Sequence, residues 1–355
     1  MAKTPEFDPR DARKNFIING DMRISQRGTS FAAAGSGQYC TDRWRYSKSG
    51  AMVHTITQDT DVPTLAQAGY LFQNSIRLNL TTPDTSIAAG DNVSIDQSVE
   101  GYNWTNLAQK PFTLSFWVKA TLAGVYCVAF RNGGADRAYV AEYTINATNT
   151  WEYKTITVSA SPSAGTWNYT NSIGLDIRWA LASGTTFQTT ANAWNTGNLL
   201  STANQVNGVN TGATDFRLTG IMLNEGYEAL PFRLFGGDFA GELIACQRYF
   251  EKNYDLGVAP GTVTGAGSEP NTFRGYNAVA TATRGFAWFA VHKRTAPVMT
   301  FYSGTSATPG NIDLNGAAQP SAANVANQAG TWVENNNATS GAYTFGFHFT
   351  ANAEL

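Results

Sequence analysis

Apolar and polar positions alternate along most of this chain and rarely recur at helical spacing, a pattern that predicts strands. In residues 111–120 (PFTLSFWVKA) the set Phe112, Leu114, Phe116 and Val118 alternates with Thr113, Ser115, Trp117 and Lys119. One face of that strand belongs to a core and the other carries a large ring. Residues 125–132, 151–159 and 173–181 continue the pattern. In the last of these, Ile173, Leu175, Ile177, Trp179 and Leu181 point one way, which predicts a buried strand. Asn132-Gly133-Gly134 and Ala164-Gly165 supply turns. Between Ala51 and Phe235, about eight to ten strands would fit two packed sheets.

Helical spacing predicts one helix, over 238–253, with Asp238 capping its start and Leu243, Cys246 and Phe250 forming an apolar stripe. Gly236-Gly237 before it is a natural hinge. Beyond Tyr254 the chain is rich in Gly, Thr, Asn and Ala, with strands expected at 273–282, 286–293, 298–302, 331–334 and 343–350. Arg284-Gly285 and Ser340-Gly341 read as turns, and 304–327 and 335–342 as uncharged loops suited to sugar hydroxyls. Large side chains on both faces of FAWFAV, 286–291, require cover on both sides, for which a second subunit is one source. The expected fold is all-β: a jelly-roll β-sandwich, one short helix, and a smaller C-terminal β-sandwich tip. The expected segments are an attachment arm (1–14), the jelly roll (15–235), a linker helix (236–254) and a receptor-binding tip (255–355).

Composition narrows the function classes. Charged residues make up 14% of the 355, against about 25% in an average soluble protein, while aromatics reach 12% and Gly numbers 34. That mix suits a many-stranded protein with frequent turns. A formal net charge of −2 gives no general attraction to phosphate backbones, so no nucleic-acid partner is expected. No run of about 20 apolar residues predicts a membrane span, and the charged N-terminus lacks the apolar core of a signal peptide. Synthesis in a cytoplasm without export is the expectation. Cys40, Cys127 and Cys246 cannot all pair and lack CxxC spacing, so they read as reduced, buried thiols. His54, His292 and His348 show no metal-binding pattern.

Two segments, 15–44 (NFIINGDMRISQRGTSF, then YCTDRW) and 218–250 (LTGIMLNEGYEALPFRLFGGDFAGELIACQRYF), frame one domain. INGDMRI and DFRLTGIML are short apolar-polar runs of the kind that pair in a sheet. In Asn19-Gly20-Asp21 the Gly is free to take positive φ at a sharp bend. Together these segments resemble the opening and closing strands of a jelly roll found in phage virion proteins, namely tail fibres, head fibres and gene-transfer-agent spikes, where it looks like a carbohydrate-binding module. The resemblance covers roughly 15–250, and the ending FTANAEL is also typical of such chains. It implies a virion location, a homotrimer, capsid or tail proteins held through the N-terminus, and a bacterial surface polysaccharide as partner. It also implies a structural calcium near the paired terminal strands, with Asp21 and Asp215 as candidates; no other cofactor is expected.

No nucleophile, phosphate-loop or zinc motif is present. The carboxylate pairs Asp59/Asp61, Asp91/Asp96 and Glu225/Glu228 are the common spacing of any protein, so no catalytic residue is assigned. Sugar binding is argued from aromatics set among Asn, Thr and Gly, because a pyranose's apolar face stacks on an indole or phenol ring. Trp104 in GYNWTN, Trp167 and Tyr169 in GTWNYTN, and Trp194 in NAWNTGN are the candidates. The function these features predict is non-enzymatic: a fibre or spike protein that attaches to a host-cell glycan. A purely structural capsid or collar decoration protein is the alternative, and a glycan depolymerase is a further one.

Overall fold

The computed structural model describes residues 14–212, 214–265, 272–306 and 308–355. The attachment arm expected at 1–14 lies outside the described residues, apart from Lys14. The chain divides into two compact units: Thr29–Glu242 with the chain up to Arg23, and Leu243–Leu355 with the excursion Ile24–Gly28.

The first unit contains β1 (Ser30–Phe31), β2 (Gln38–Tyr39), β3 (Arg45–Ser49), β4 (Val53–Asp59), β5 (Ser75–Thr82) and β6 (Asn92–Glu100). It continues with β7 (Phe112–Ala120), β8 (Gly124–Asn132), β9 (Arg137–Ile145), β10 (Glu152–Val158), β11 (Ile173–Ser183), β12 (Trp194–Thr196) and β13 (Asp215–Glu225). These form a sheet ordered β1-β4-β5-β13-β7-β10 and a second ordered β12-β9-β8-β11-β6-β3-β2. The ten strands from β4 to β13 match the eight to ten expected between Ala51 and Phe235, and β1, β2 and β3 precede that span. The chain crosses between sheets after β1, β3, β5, β6, β7, β9, β10 and β12, the back-and-forth path of a jelly roll.

The alternation in β7 is realised: Phe112, Leu114, Phe116 and Val118 are fully buried. Each such side chain contributes roughly 1.5–3 kcal/mol by leaving water. Phe116 meets Tyr143 at 5.2 Å and Trp179 at 5.7 Å, edge to face, which ties the two sheets together. All three cysteines are buried and none forms a disulfide.

The N-terminal segment does lie against β13, but as an irregular run and not as a strand. Phe16 N donates to Leu223 O, Ile221 N donates to Gly20 O, and the Asn15 side chain bonds both Ile221 O and Leu223 N. The bend also differs from expectation: Asn19 and Met22 take positive φ, and Gly20 does not. Gly20 is required for a different reason, since a Cβ there would sit 2.2 Å from Ile221 O.

Three short helices occur among the described residues: α1 (Leu65–Ala68), α2 (Gly101–Trp104) and α3 (Phe239–Gln247). Asp238 caps α3 through Gly241 N at 2.8 Å. The helix ends earlier than the linker helix expected over 236–254, and Phe250 leaves the predicted stripe. Residues Phe250–Lys252 pair as a strand, β14, which offers their backbone partners that a lone helix end would lack.

The second unit adds β15 (Phe273–Trp288), β16 (Val298–Tyr302), β17 (Asn311–Leu314), β18 (Ala317–Pro320), β19 (Ala323–Ala326), β20 (Gly330–Gly346) and β21 (His348–Asn352). Its sheets are β14-β21-β16 and β15-β20-β17-β18, with β19 also on β20, around a core that includes Phe301, Ile312, Val333, Phe345 and Phe347. Here the loops expected at 304–327 and 335–342 contain strands, and the expected turns at Arg284-Gly285 and Ser340-Gly341 lie inside β15 and β20. Gly285 serves close packing, because the Phe345 and Phe347 rings lie 2.7–2.8 Å from where its Cβ would be.

Candidate functional site: an aromatic hollow on the outer face of a sheet

The outward face of β7 presents Ser115, Trp117 and Lys119, as alternation requires. Register sets Trp117 directly opposite Tyr153 of β10 on one side and Thr219 of β13 on the other. The Trp117 and Tyr153 rings lie 5.4 Å apart, and Tyr153 is 44% exposed. β13 bulges between Thr219 and Met222, where Gly220 takes φ +60. A Cβ at Gly220 would lie 2.5 Å from Phe72 Cζ and 3.0 Å from Trp117 Cδ1, so only glycine admits both rings.

Phe72 and Phe232 close the opposite side, 5.1 Å apart, each within 5 Å of Tyr70. Helix α1 supplies Gln67 and Ala68. It is held by a reciprocal cap, in which Thr64 Oγ1 accepts from Gln67 N and Gln67 Oε1 accepts from Thr64 N at 2.9 Å. The result is a cavity of about 260 Å³ lined by Gln67, Ala68, Phe72, Ser115, Trp117, Tyr153, Gly220, Pro231 and Phe232. Rings form its walls, while Ser115 and Gln67 offer a hydroxyl and an amide, the mixture that orients a small polar ring.

Beside the hollow runs a band of charges. Arg217 stands opposite both Lys119 and Arg77 in register. Asp215 bonds Arg77 at 2.9 Å and Arg217 at 3.2 Å, Asp59 meets Arg217 at 3.3 Å, and Asp61 meets Lys119 at 2.7 Å and Arg217 at 3.5 Å. Trp151 Nε1 donates to Asp61 at 2.9 Å. Burial pushes the Asp61 carboxyl up, but bonds from Lys119 and Trp151, with the nearby Arg217 charge, leave it below its ordinary range.

Three of the four candidate rings from the sequence are gathered elsewhere. Trp104 stacks on Trp167 at 5.3 Å and 16°, and Trp167 meets Trp194 at 5.7 Å. Trp104 has no exposed surface, so a sugar cannot reach it; GYNWTN starts a helical turn that drives the ring into the core. Trp167 and Trp194 are half-buried, and their indole N–H groups are spent on Ala164 O at 3.0 Å and Ala160 O at 2.6 Å. Tyr169 is exposed and joins no ring contact among those described. Sequence reasoning did not name Trp117, Tyr153, Phe72 and Phe232 as site residues, although the outward ring in 111–120 was the signal that could have found them.

Of the calcium candidates, Asp21 is buried and holds Arg23 through Oδ2, and both oxygens of Asp215 are engaged by arginines. Among the described residues no group of three or more His, Cys, Asp or Glu is placed to hold a metal.

Fold and hollow together define an all-β sandwich protein with an aromatic-walled hollow on one sheet face. No family model and no curated protein matches the chain. Among solved structures, it is similar to the enzymatically active domain of bacteriophage CBA120 tailspike protein 4, at 17% identity and TM-score 0.33, over 60% of this chain and 21% of that one. It is also similar to a family 11 carbohydrate-binding module from Clostridium thermocellum in complex with a β-1,3-1,4-mixed-linked tetrasaccharide, at 11% identity and TM-score 0.28, over 57% and 99%. A third is the CBM22-1 xylan-binding domain of Paenibacillus barcinonensis Xyn10C, at 10% identity and TM-score 0.26, over 57% and 99%. Scores this low decide neither fold nor function.

Proposed function

We propose that this protein is a non-enzymatic glycan-binding fibre or spike component of a virion, attaching the particle to a bacterial surface polysaccharide through the Trp117 hollow. The observation that carries the reading is the hollow itself: rigid rings on a sheet face, with a hydroxyl and an amide between them. Such rings stack on the apolar face of a pyranose at small entropic cost. A hydrolase would need a carboxylic acid held protonated beside the sugar, and Asp61, the part-exposed carboxylate of the flanking band, is pushed the other way.

A homotrimer is part of this proposal. In the second unit Trp288 is 82% exposed, with Phe286 and Val325 beside it around a cavity of about 210 Å³. Apolar exposure of this kind supports self-association. Three chains would multiply weak sugar sites into firm attachment.

The test is binding of the purified chain to candidate host cells before and after enzymatic removal of capsule or lipopolysaccharide, with Trp117→Ala as control. Binding that disappears when the receptor glycan is removed, and that is lost in Trp117→Ala, is the expected outcome. Binding that survives removal of both glycans would overturn the glycan reading, and no binding to any candidate host by the folded chain would point instead to a decoration protein whose contacts are all with other virion proteins.

A further inference from the structure

The charges beside the hollow are arranged in an unusual way. Lys119, Arg217 and Arg77 sit side by side across three adjacent strands, where like charges directly opposite one another are destabilising. Three carboxylates offset them, and they arrive from different places. Asp215 opens β13 and Asp59 closes β4, so both belong to the sheet that carries the cations. Asp61 comes from the chain beyond β4 and folds back over the row, its amide donating to Asp59 Oδ1 at 3.0 Å.

Asp61 covers the end of the row nearest the hollow. Lys119 is the next outward residue after Trp117, about 7 Å along the strand. The Lys119 side chain is 17% exposed and Asp61 35%, so the carboxylate is the more exposed member of the pair. Without it, a ligand seated on Trp117 and Tyr153 would meet an ammonium and the flank of a guanidinium. With it, three positive and three negative groups cancel.

We infer that Asp61 is a specificity-determining residue: by neutralising Lys119 and Arg217 at the rim, it makes the Trp117 hollow select neutral glycans over acidic ones. A ligand carboxylate reaching this rim meets the Asp61 carboxylate before it meets Lys119, and like-charge juxtaposition rejects it. The inference rests on the reading of the hollow as a sugar site and adds the class of sugar.

The experiment measures affinity of the full chain for a panel of neutral polysaccharides (galactomannan, dextran, mixed-linkage glucan) and acidic ones (alginate, polygalacturonate) at low and physiological salt. Wild type is compared with Asp61→Asn, and with Asp61→Asn combined with Lys119→Gln. Wild type should prefer a neutral polymer. Asp61→Asn should raise the acidic-to-neutral affinity ratio about fivefold at low salt, and less at physiological salt; the second substitution should cancel the gain. A wild-type preference for acidic polymers overturns the inference while leaving the glycan reading standing, and does so even if Asp61→Asn fails to fold. A folded Asp61→Asn protein with an unchanged ratio also overturns it. Binding to neither class overturns the sugar reading and the inference with it.

Discussion

Two of the gatherings of large rings in the first unit differ in what their polar groups do. At Trp104, Trp167 and Trp194 the rings face each other and the two half-buried indoles are bonded to backbone carbonyls. At Trp117, Tyr153, Phe72 and Phe232 the rings enclose a space, with Ser115 and Gln67 at its edge. The first arrangement closes on itself around the buried Trp104; the second leaves ring surface facing a hollow. A tryptophan set among Asn, Thr and Gly is therefore no better a guide to an open ring face than one in a regular strand. What decides is whether the ring's neighbours in space fill the volume beside it.

The sharpest way to break this comparison is to delete one ring from each gathering. Trp104→Ala should cost about 3–5 kcal/mol of stability, the range for emptying a fully buried aromatic site, read by denaturant unfolding. Trp117→Ala should cost about thirtyfold in glycan affinity, roughly 2 kcal/mol, with a smaller effect on unfolding because the ring is only partly buried. If Trp104→Ala left stability intact and removed binding, the roles assigned here would be reversed.

A finer probe acts on the space and leaves every ring in place. Gly220→Ala introduces a Cβ at positive φ against Phe72 and Trp117. It should destabilise by roughly 1–2 kcal/mol and weaken sugar binding about fivefold as the rings move apart. Calorimetric titration and thermal unfolding of one preparation would read both. Unchanged affinity would mean that the hollow's width is not set by this bulge.

Much of the sandwich is legible in the sequence. The alternation in 111–120 and 173–181 placed Phe112, Leu114, Phe116, Val118, Leu175, Ile177, Trp179 and Leu181 in the buried core, although Ile173 is only partly buried and Asp176 and Ala180 on the other face of β11 are buried too. Asp238 as a helix cap followed from local chemistry alone. The second unit was read as more broken than it is: Arg284-Gly285 and Ser340-Gly341 have turn composition, yet they lie in strands of 16 and 17 residues. A glycine needed for room beside Phe345 looks the same in sequence as one needed for a turn. The hollow was not legible for a related reason. Its walls come from residues as distant as Phe72 and Phe232, and only register brings Tyr153 beside Trp117.

The smallest effect concerns how the tryptophan cluster is held. Asp136 accepts from the Asn132 side chain, and from Thr166 N at 3.0 Å and Thr166 Oγ1 at 2.7 Å, which fixes the loop leading into Trp167. These bonds, the Asn132 one largest, depress its carboxyl to about 2 from an ordinary 3.8. A carboxylate whose folded pKa is depressed contributes stability that is present above its unfolded value and lost as pH falls through the folded one. The loop should therefore loosen between about pH 4 and pH 2, seen as a change in Trp167 emission. Asp136→Asn should remove that transition while other acid-induced changes persist. The Trp117 hollow makes no contact with Asp136 among the described bonds, so emission from Trp117 should be the same in both proteins across this window. A shared transition at both rings would mean that the two gatherings respond as one core, and the distinction between closed and open aromatic clusters would fail.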